Sequence, residues 1–414
     1  MRRITPLLIL IAIFLFGCYE KKPADRMTDD RLSSLANELA HKYIIADGHV
    51  DLPERLKEKN LIPVSANLGI IESTTVGEFD YVRAKAGGLD APFMSIYVPS
   101  SYQKKPDHGK ILADSLIDMV NEIANLLPDK FALANTPGDV EVNYKLGKIS
   151  LPMGMENGAP IGTDLANVKY FFDRGIRYIT LTHNKDNQIC DSSGDTAHTW
   201  NGLSPFGKEV VAEMNRLGIM VDISHVDDST FYQVMKITKA PCIASHSSCR
   251  HFSPTSKRDM TDDMIKKLGE NDGVMLINFY NVFLDSAVGN QDQKDAEKLK
   301  SLLSAQGLSE SDSLAKPIIT QFKEENPPRR TDIEMVANHI DHVVKLAGID
   351  HVGFGSDFDG VEGRLPTGLE DPSKYPDLIF ILLKRGYTEE DIAKICYKNL
   401  WRVWNKVEEV AKKG

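Results

Sequence analysis

Short apolar stretches rich in β-branched residues recur along the chain. Most are followed by segments whose apolar positions repeat every three to four residues. The first pattern predicts strands and the second amphipathic helices. Eight strands are expected, at Ile44–Gly48, Pro92–Val98, Ile149–Met155, Arg177–Thr182, Ile219–Ser224, Pro241–Ser245, Gly273–Asn278 and His351–Gly355. Their apolar character is nearly continuous, as in parallel strands buried on both faces. Helices are expected at Asp164–Arg174, Pro205–Leu217, Asp262–Glu270 and Asp332–Leu346. Thr261-Asp262-Asp263 and Thr331-Asp332 put polar and acidic residues where helix N-termini favour them. Eight strands alternating with helices predict an α/β fold, a (β/α)8 TIM-like barrel with long loop insertions. A doubly wound open sheet is the alternative. The chain has no Gly-x-Gly-x-x-Gly opening a helix and no P-loop, so nucleotide binding gains no support.

Two connections are too long to be plain loops. Residues 99–148 hold an expected helix at Lys110–Leu127 and an expected small hairpin at Asp139–Ile149. Residues 279–331 are charged, with a helical piece at Asp295–Leu303 and a Pro-Pro-Arg-Arg ending. Both are expected to be insertions in a barrel running from residue 41 to residue 414.

The N-terminus has a different pattern. Arg2 and Arg3 precede an unbroken run of ten apolar residues, Leu7 to Phe16. A membrane-spanning helix needs roughly 20, so the run fits the apolar part of an export signal instead. It ends in Leu15-Phe16-Gly17-Cys18, which resembles a bacterial lipoprotein signal. On that reading residues 1–17 are removed and Cys18 is lipidated; a plain signal or short anchor is the alternative. Residues 18–40 would then be a tether and N-terminal segment. The protein is expected to be exported to the cell envelope and lipid-anchored on a periplasmic or outer surface.

The chain has 414 residues, of which 42% are hydrophobic and 26% charged, an ordinary globular balance. With 49 basic and 59 acidic residues the net charge is -10 and no long basic run occurs, so no nucleic-acid partner is expected. The five cysteines are too widely spaced for a zinc motif or a disulfide framework. Cys190, Cys242, Cys249 and Cys396 are left with open pairing.

The candidate chemistry sits where strands end. The first runs into Asp47-Gly48-His49-Val50-Asp51, putting His49 and Asp51 on one side of an extended chain. The third ends at Glu156, the fourth at His183, the fifth at His225, the sixth at His246, and the eighth at Asp357 and Asp359. In a barrel these termini share one face, where barrel active sites lie. A single His or Glu at such a point is as well explained by packing or capping; five or six together point to a site. The donors suit two metal ions: His49 and Asp51 on one, His225 and His246 on the other, and Glu156 bridging. Nitrogen and carboxylate donors favour zinc over magnesium or calcium. Two such ions can share a water and lower its pKa. The remaining histidines are expected to be structural or solvated, with His339 and His342 at a helix surface. Tyr280 is expected either to line the pocket or to pack.

In order, Asp-Gly-His-Val-Asp-Leu-Pro, Glu-Asn-Gly, Leu-Thr-His, Ile-Ser-His, Ser-His-Ser-Ser and Gly-Phe-Gly-Ser-Asp-Phe-Asp-Gly together resemble the renal (membrane) dipeptidase family of zinc peptidases. The likeness runs from about Tyr43 to Val403. It implies a binuclear zinc site on a (β/α)8 barrel, with His49, Asp51, Glu156, His225 and His246 as ligands. It implies that His183 contacts substrate and polarises its carbonyl, that Arg258 holds the dipeptide carboxylate, and that Asp357 is the acid/base. Lys257 is the rival to Arg258, and Asp359 to Asp357. Cys396-Tyr397-Lys398-Asn399 departs from the family's Gly-Gly-Asn, and the 279–331 connection is enlarged.

The implied reaction is hydrolysis of dipeptides, including those with a C-terminal D-residue, by a hydroxide bridging the metals. Membrane contact is through the lipid anchor, and a homodimer is a candidate assembly. An amidohydrolase-type enzyme acting on cyclic amides or lactones is the second reading; its usual His-x-His is here His49-x-Asp51. A peptide-binding lipoprotein without turnover is the third, and it would lack a catalytic group.

Overall fold

The computed structural model describes residues 27–58, 69–104 and 107–413. The expected signal (1–17) and Cys18 lie outside them. The described part of the N-terminal segment is a helix, Asp29–Lys42, capped by the Thr28 side chain and docked on helix Tyr375–Lys384. Among the described residues no helix is long and apolar enough to cross a membrane.

Ten strands are described: β1 (Ile45–Val50), β2 (Leu89–Tyr97), β3 (Phe131–Leu133), β4 (Ile149–Leu151), β5 (Met153–Glu156), β6 (Ile176–Thr180), β7 (Met220–Asp222), β8 (Ile243–Ser247), β9 (Val274–Ile277) and β10 (Val352–Phe354). Eight of them close into a parallel barrel in the order β1-β2-β5-β6-β7-β8-β9-β10, with β10 returning to β1. The expected (β/α)8 barrel is therefore the fold. The third expected strand is split at Pro152: β5 joins the barrel, whereas β4 pairs with β3 in a separate two-stranded parallel sheet.

The hairpin expected at Asp139–Ile149 is absent. Helix Pro137–Lys145 connects β3 to β4 instead. Its start is written in Thr136-Pro137-Gly138-Asp139: Thr136 and Asp139 form a reciprocal capping box and Pro137 fits the first turn. Connection 279–331 is mainly helical, with helices Asn281–Leu284, Ser286–Ser304 and Lys316–Glu325. Leu299, Leu303 and Ala315 form a small apolar cluster there, apart from the barrel.

Alternation along the strands divides the core. Ile45, Met94, Ile179, Val221 and Ile277 join the larger cluster that packs strands against helices. Ala46, Phe93, Tyr178, Met220 and Leu276 fill a second cluster, shared with Trp401 and Trp404 of the C-terminal helix Asn399–Lys413. Above that inner cluster the inward positions turn polar: Ser95, Glu156, Thr180, Asp222 and Ser245 are all buried. The inward-facing polar side chains are thus gathered at one end of a barrel whose other end is filled with apolar ones.

Gly154 matters to that division. A Cβ there would lie 2.0 Å from Cζ of Tyr178, a fully buried ring. Gly154→Ala is expected to destabilise the protein by about 1–3 kcal/mol through overpacking. A thermal melt checks this against Gly138→Ala, where the added carbon meets only Thr136 Oγ1 at 3.7 Å. Equal melting temperatures would show that the Tyr178 ring is not held by this contact.

Candidate metal centre

The sequence-predicted ligands converge at the polar end of the barrel. Glu156, the last residue of β5, points its two oxygens to two sides. Oε2 lies 3.4 Å from His49 Nε2. Oε1 lies 3.1 Å from His225 Nε2, 3.6 Å from His246 Nε2 and 3.5 Å from His183 Nε2. Asp51 Oδ2 is 3.3 Å from His49 Nε2, and the Nε2 atoms of His225 and His246 are 2.9 Å apart. Donor atoms within 4.8 Å of one another form three overlapping groups: His49, Glu156 and His246; Glu156, His183 and His225; His49, Asp51 and Asp357.

Neighbouring side chains fix which nitrogen faces the centre. The Tyr178 hydroxyl donates to the Gly48 carbonyl at 3.0 Å, so at 2.9 Å it accepts from His49 Nδ1–H. That leaves Nε2 as the inward lone pair of a neutral His49. Ser245 Oγ donates to Asp222 at 2.6 Å and accepts from His246 Nδ1–H at 2.8 Å, with the same result for His246. Asp222 also accepts the Thr180 hydroxyl at 2.5 Å and the backbone N–H groups of Ser224 and Ser245. Asp47 does the equivalent at β1, taking the N–H groups of His49 and Ser356 and the Tyr375 hydroxyl at 2.5 Å.

Burial alone would raise the Glu156 carboxyl, but the His183 and His49 rings outweigh it and hold it well below the usual carboxylate range. Burial would lower His49; the Tyr178 hydroxyl and the Asp51 and Glu156 carboxylates lift it well above its ordinary value instead. Burial drives His225 and His246 well below theirs, helped by the Arg258 charge. Both shifts favour the neutral form of these rings, the form in which imidazole binds a metal. His49 Nε2 and Asp51 Oδ1 are buried without hydrogen-bond partners, and the donor set is imidazole and carboxylate. The residues present fit divalent transition-metal ions.

Asp357 and Asp359 part company. Asp357 Oδ2 accepts from Asn278 Nδ2 at 2.9 Å, and burial with the nearby Asp51 carboxylate pushes its acid up to about 7. Asp359 Oδ1 is tied to Arg55 at 2.9 Å and to the Glu78 N–H at 2.6 Å, holding a neighbouring loop. Arg258 points inward, donating to Ser247 Oγ at 2.8 Å and to the His246 carbonyl, whereas Lys257 is exposed. Asn157, His225 and Asp357 adopt left-handed backbone, φ 78°, 67° and 67°, costing roughly 1–3 kcal/mol each where strand becomes loop.

A cavity of about 630 Å³ opens over the cluster. Tyr280 lines it, with the Arg364 guanidinium 4.8 Å from its ring centre. Glu54 also lines it, its acid pushed up to about 9 by burial and the Asp51 and Glu156 carboxylates. Sequence reasoning passed over Glu54, Tyr178, Ser245, Asn278 and the supporting roles of Asp47 and Asp222. The signal for Asp47 and Asp222 was their place two and three residues before a candidate ligand.

His339 corrects an expectation. It is fully buried, not at a helix surface. Its Nδ1 accepts the Cys249 N–H at 3.0 Å and its Nε2 donates to the Leu284 carbonyl at 3.0 Å, joining the stretch after β8 and helix Asn281–Leu284 to helix Ile333–Ala347. His342 is partly buried and meets Asp262 at 2.7 Å. Cys190, Cys242, Cys249 and Cys396 are buried free thiols.

The family model for membrane dipeptidase (peptidase family M19) matches residues 34–414. Among solved structures, the probable dipeptidase PvdM from Pseudomonas aeruginosa superimposes with a TM-score of 0.78 at 25% identity, covering 92% of this chain and 100% of that one. The dipeptidase AC, a metallo peptidase of family M19, gives 0.70 at 25% identity, covering 88% and 98%. A metallo peptidase from Rhodobacter sphaeroides, liganded with a phosphinate mimic of the dipeptide L-Ala-D-Ala, shares the fold with 0.71 at 24% identity, covering 88% and 99%. Sequence and fold agree over nearly the whole length: the chain belongs to the membrane dipeptidase family, peptidase family M19, and its reaction is metal-dependent hydrolysis of dipeptides.

Proposed function

We infer that this chain is a zinc dipeptidase with two ions per chain, exported and lipid-anchored through Cys18. The observation that carries the two-ion reading is the division of Glu156. One oxygen faces His49 and the other faces His225 and His246. His49 and Asp51 would hold one ion, His225 and His246 the other, and Glu156 would bridge them. When bound, the pair would supply an acidified water and a polarised carbonyl.

The chain's own residues do the rest. Arg258 pairs through its guanidinium with the free carboxylate of the substrate. That anchors the C-terminal residue on the β8 side and favours very short peptides. His183 Nε2–H donates to the carbonyl oxygen and stabilises the negative charge that grows there. Tyr97 steadies that ring, its hydroxyl 3.4 Å from His183 Nδ1. Asp357 takes a proton from the attacking water and returns it to the leaving amine, so the C–N bond breaks without an amide anion. Burial and the nearby Asp51 carboxylate raise this acid above the usual carboxylate range, which favours its holding the proton for return to the amine. Asn278 orients it. A substrate with a C-terminal D-residue leaves the anchoring carboxylate unchanged, and the L-Ala-D-Ala mimic in the Rhodobacter sphaeroides relative supports including such substrates.

Three outcomes are expected. The zinc-loaded mature protein releases amino acids from L,L and L,D dipeptides but not from a tripeptide, and Asp357→Asn lowers kcat by about 10²–10⁴-fold. An unchanged kcat would remove Asp357 from the acid/base role. Metal analysis of the wild type finds about two zinc ions per chain, and His225→Ala holds about one; full occupancy in that variant would refute the ligand set. Wild-type protein sediments with membranes, whereas Cys18→Ser is released; unchanged fractionation would mean a different anchor.

A further inference from the structure

The cavity over the metal centre carries a charge imbalance that the chemistry above leaves unused. Its basic residues are already engaged. Arg55 donates to Asp359 at 2.9 Å and to the Val76 and Phe79 carbonyls. Arg364 lies over the Tyr280 ring and 3.5 Å from Asp292. Three carboxylates in the same wall, Glu54, Glu58 and Glu362, have no basic partner among the described residues. Glu54 and Glu58 stand four apart on helix Leu52–Glu58, so they share the face turned to the cavity. Glu54 is the inner of the two and partly buried; Glu58 is exposed at the mouth.

Strand order says which end of a substrate meets this wall. Arg258 follows β8, Glu362 follows β10 and Glu54 follows β1, so the acids lie two to three strands further round the barrel. With the C-terminal carboxylate on Arg258 and the peptide bond over Glu156, the cavity wall left for the N-terminal residue includes the β10–β1 side, where Glu54, Glu58 and Glu362 stand.

We propose that Glu54, continued outward by Glu58, is the specificity determinant for the N-terminal residue, selecting dipeptides with a lysyl or arginyl side chain there. The proposal rests on the dipeptidase reading and on Arg258 as the carboxylate anchor. Burial and the Asp51 and Glu156 carboxylates push the Glu54 acid up to about 9, so a cationic side chain beside it is what favours the ionised form, pairing with it through charge-assisted hydrogen bonds. An apolar chain of the same length leaves it unpaired, and an acidic one is repelled. Glu54 and Glu58 are one helical turn apart, about 5–6 Å, a span that suits a long flexible cation rather than the α-ammonium alone.

The test is kcat/KM of the zinc-loaded enzyme on lysyl-alanine, norleucyl-alanine, glutamyl-alanine and alanyl-lysine. Lysyl-alanine is expected to exceed its uncharged isostere norleucyl-alanine by roughly tenfold or more. Glutamyl-alanine should be the poorest, and alanyl-lysine should show no advantage. In Glu54→Gln the lysyl-to-norleucyl ratio should fall toward one. In Glu58→Gln, an exposed position, it should fall part of the way. Zinc content and melting temperature of each variant establish that it is folded and loaded. Equal rates in the wild type, an advantage shared by alanyl-lysine, or a ratio unchanged in both variants overturns the proposal. A metal-loaded wild type that cleaves none of the four overturns the dipeptidase reading itself, and the proposal with it.

Discussion

The site depends on one electrostatic constraint: lone pairs that repel one another are held together out of water. Glu156 stands at the centre, with four imidazoles and the Asp51 carboxylate around it or its neighbours. Burying such charges costs several kcal/mol per ion unless each is paired. A bound cation would satisfy all of these groups at once. The ligand cluster is therefore a place where ion binding and folding are linked, because the unfolded chain has no such cluster to offer.

Two matching devices keep the lone pairs aimed. Asp47 uses one oxygen to take N–H groups from its own strand end and from β10, at 3.0 and 2.9 Å. Asp222 does the same between β7 and β8, at 3.0 and 2.8 Å. Each gives its second oxygen to hydroxyl groups. The result is a pair of stitches, on different sides of the barrel, where ligand-bearing chain leaves the sheet. The stitched carboxylates are saturated with donors, so they orient the ligands without competing for a cation. Left-handed backbone at His225 and Asp357 is tolerated because these bonds over-determine the turns around it.

Much of this was legible in the sequence because barrel topology converts strand ends into one surface. Once eight strands were counted, His49, Glu156, His183, His225, His246 and Asp357 had to gather, and they do. The inward direction of Arg258 rather than Lys257 was not legible, since a one-residue choice depends on the path of a loop. Neither was the split of Ile149–Met155 at Pro152. An apolar run does not say whether it is one strand or two, and β4 is as buried as β5. Tyr178 reads as a packed aromatic in a strand, and only the partner across the barrel, His49, gives its hydroxyl a task. His339 sits in a helix whose polar residues suggest a solvent face, yet segments from two other connections cover it and use both ring nitrogens. Helix Pro137–Lys145 is a different failure: its capping box was written in the sequence, and the expected hairpin overlooked it.

Chemistry and selectivity occupy different layers of the molecule. The groups proposed to meet the peptide bond stand at strand ends, braced by buried carboxylates and hydroxyls, and have little freedom to change. The groups proposed to meet the side chains stand one or two turns further out, on helix Leu52–Glu58 and the stretch after β10. Glu54 shows why the outer layer can vary. It borrows nothing from the stitches that hold Asp47 and Asp222, so replacing it would remove an acid from the cavity wall without unlocking a ligand. Asp359 shows the opposite case in the same region. It lines the cavity, but its oxygen is consumed by Arg55 and by the loop around Glu78. It shapes the wall and leaves no free charge for a substrate. Position on the cavity wall alone therefore does not mark a recognition residue; the balance of partners does, and by that measure the unpartnered carboxyl groups lie on the β10–β1 side, two to three strands round the barrel from Arg258.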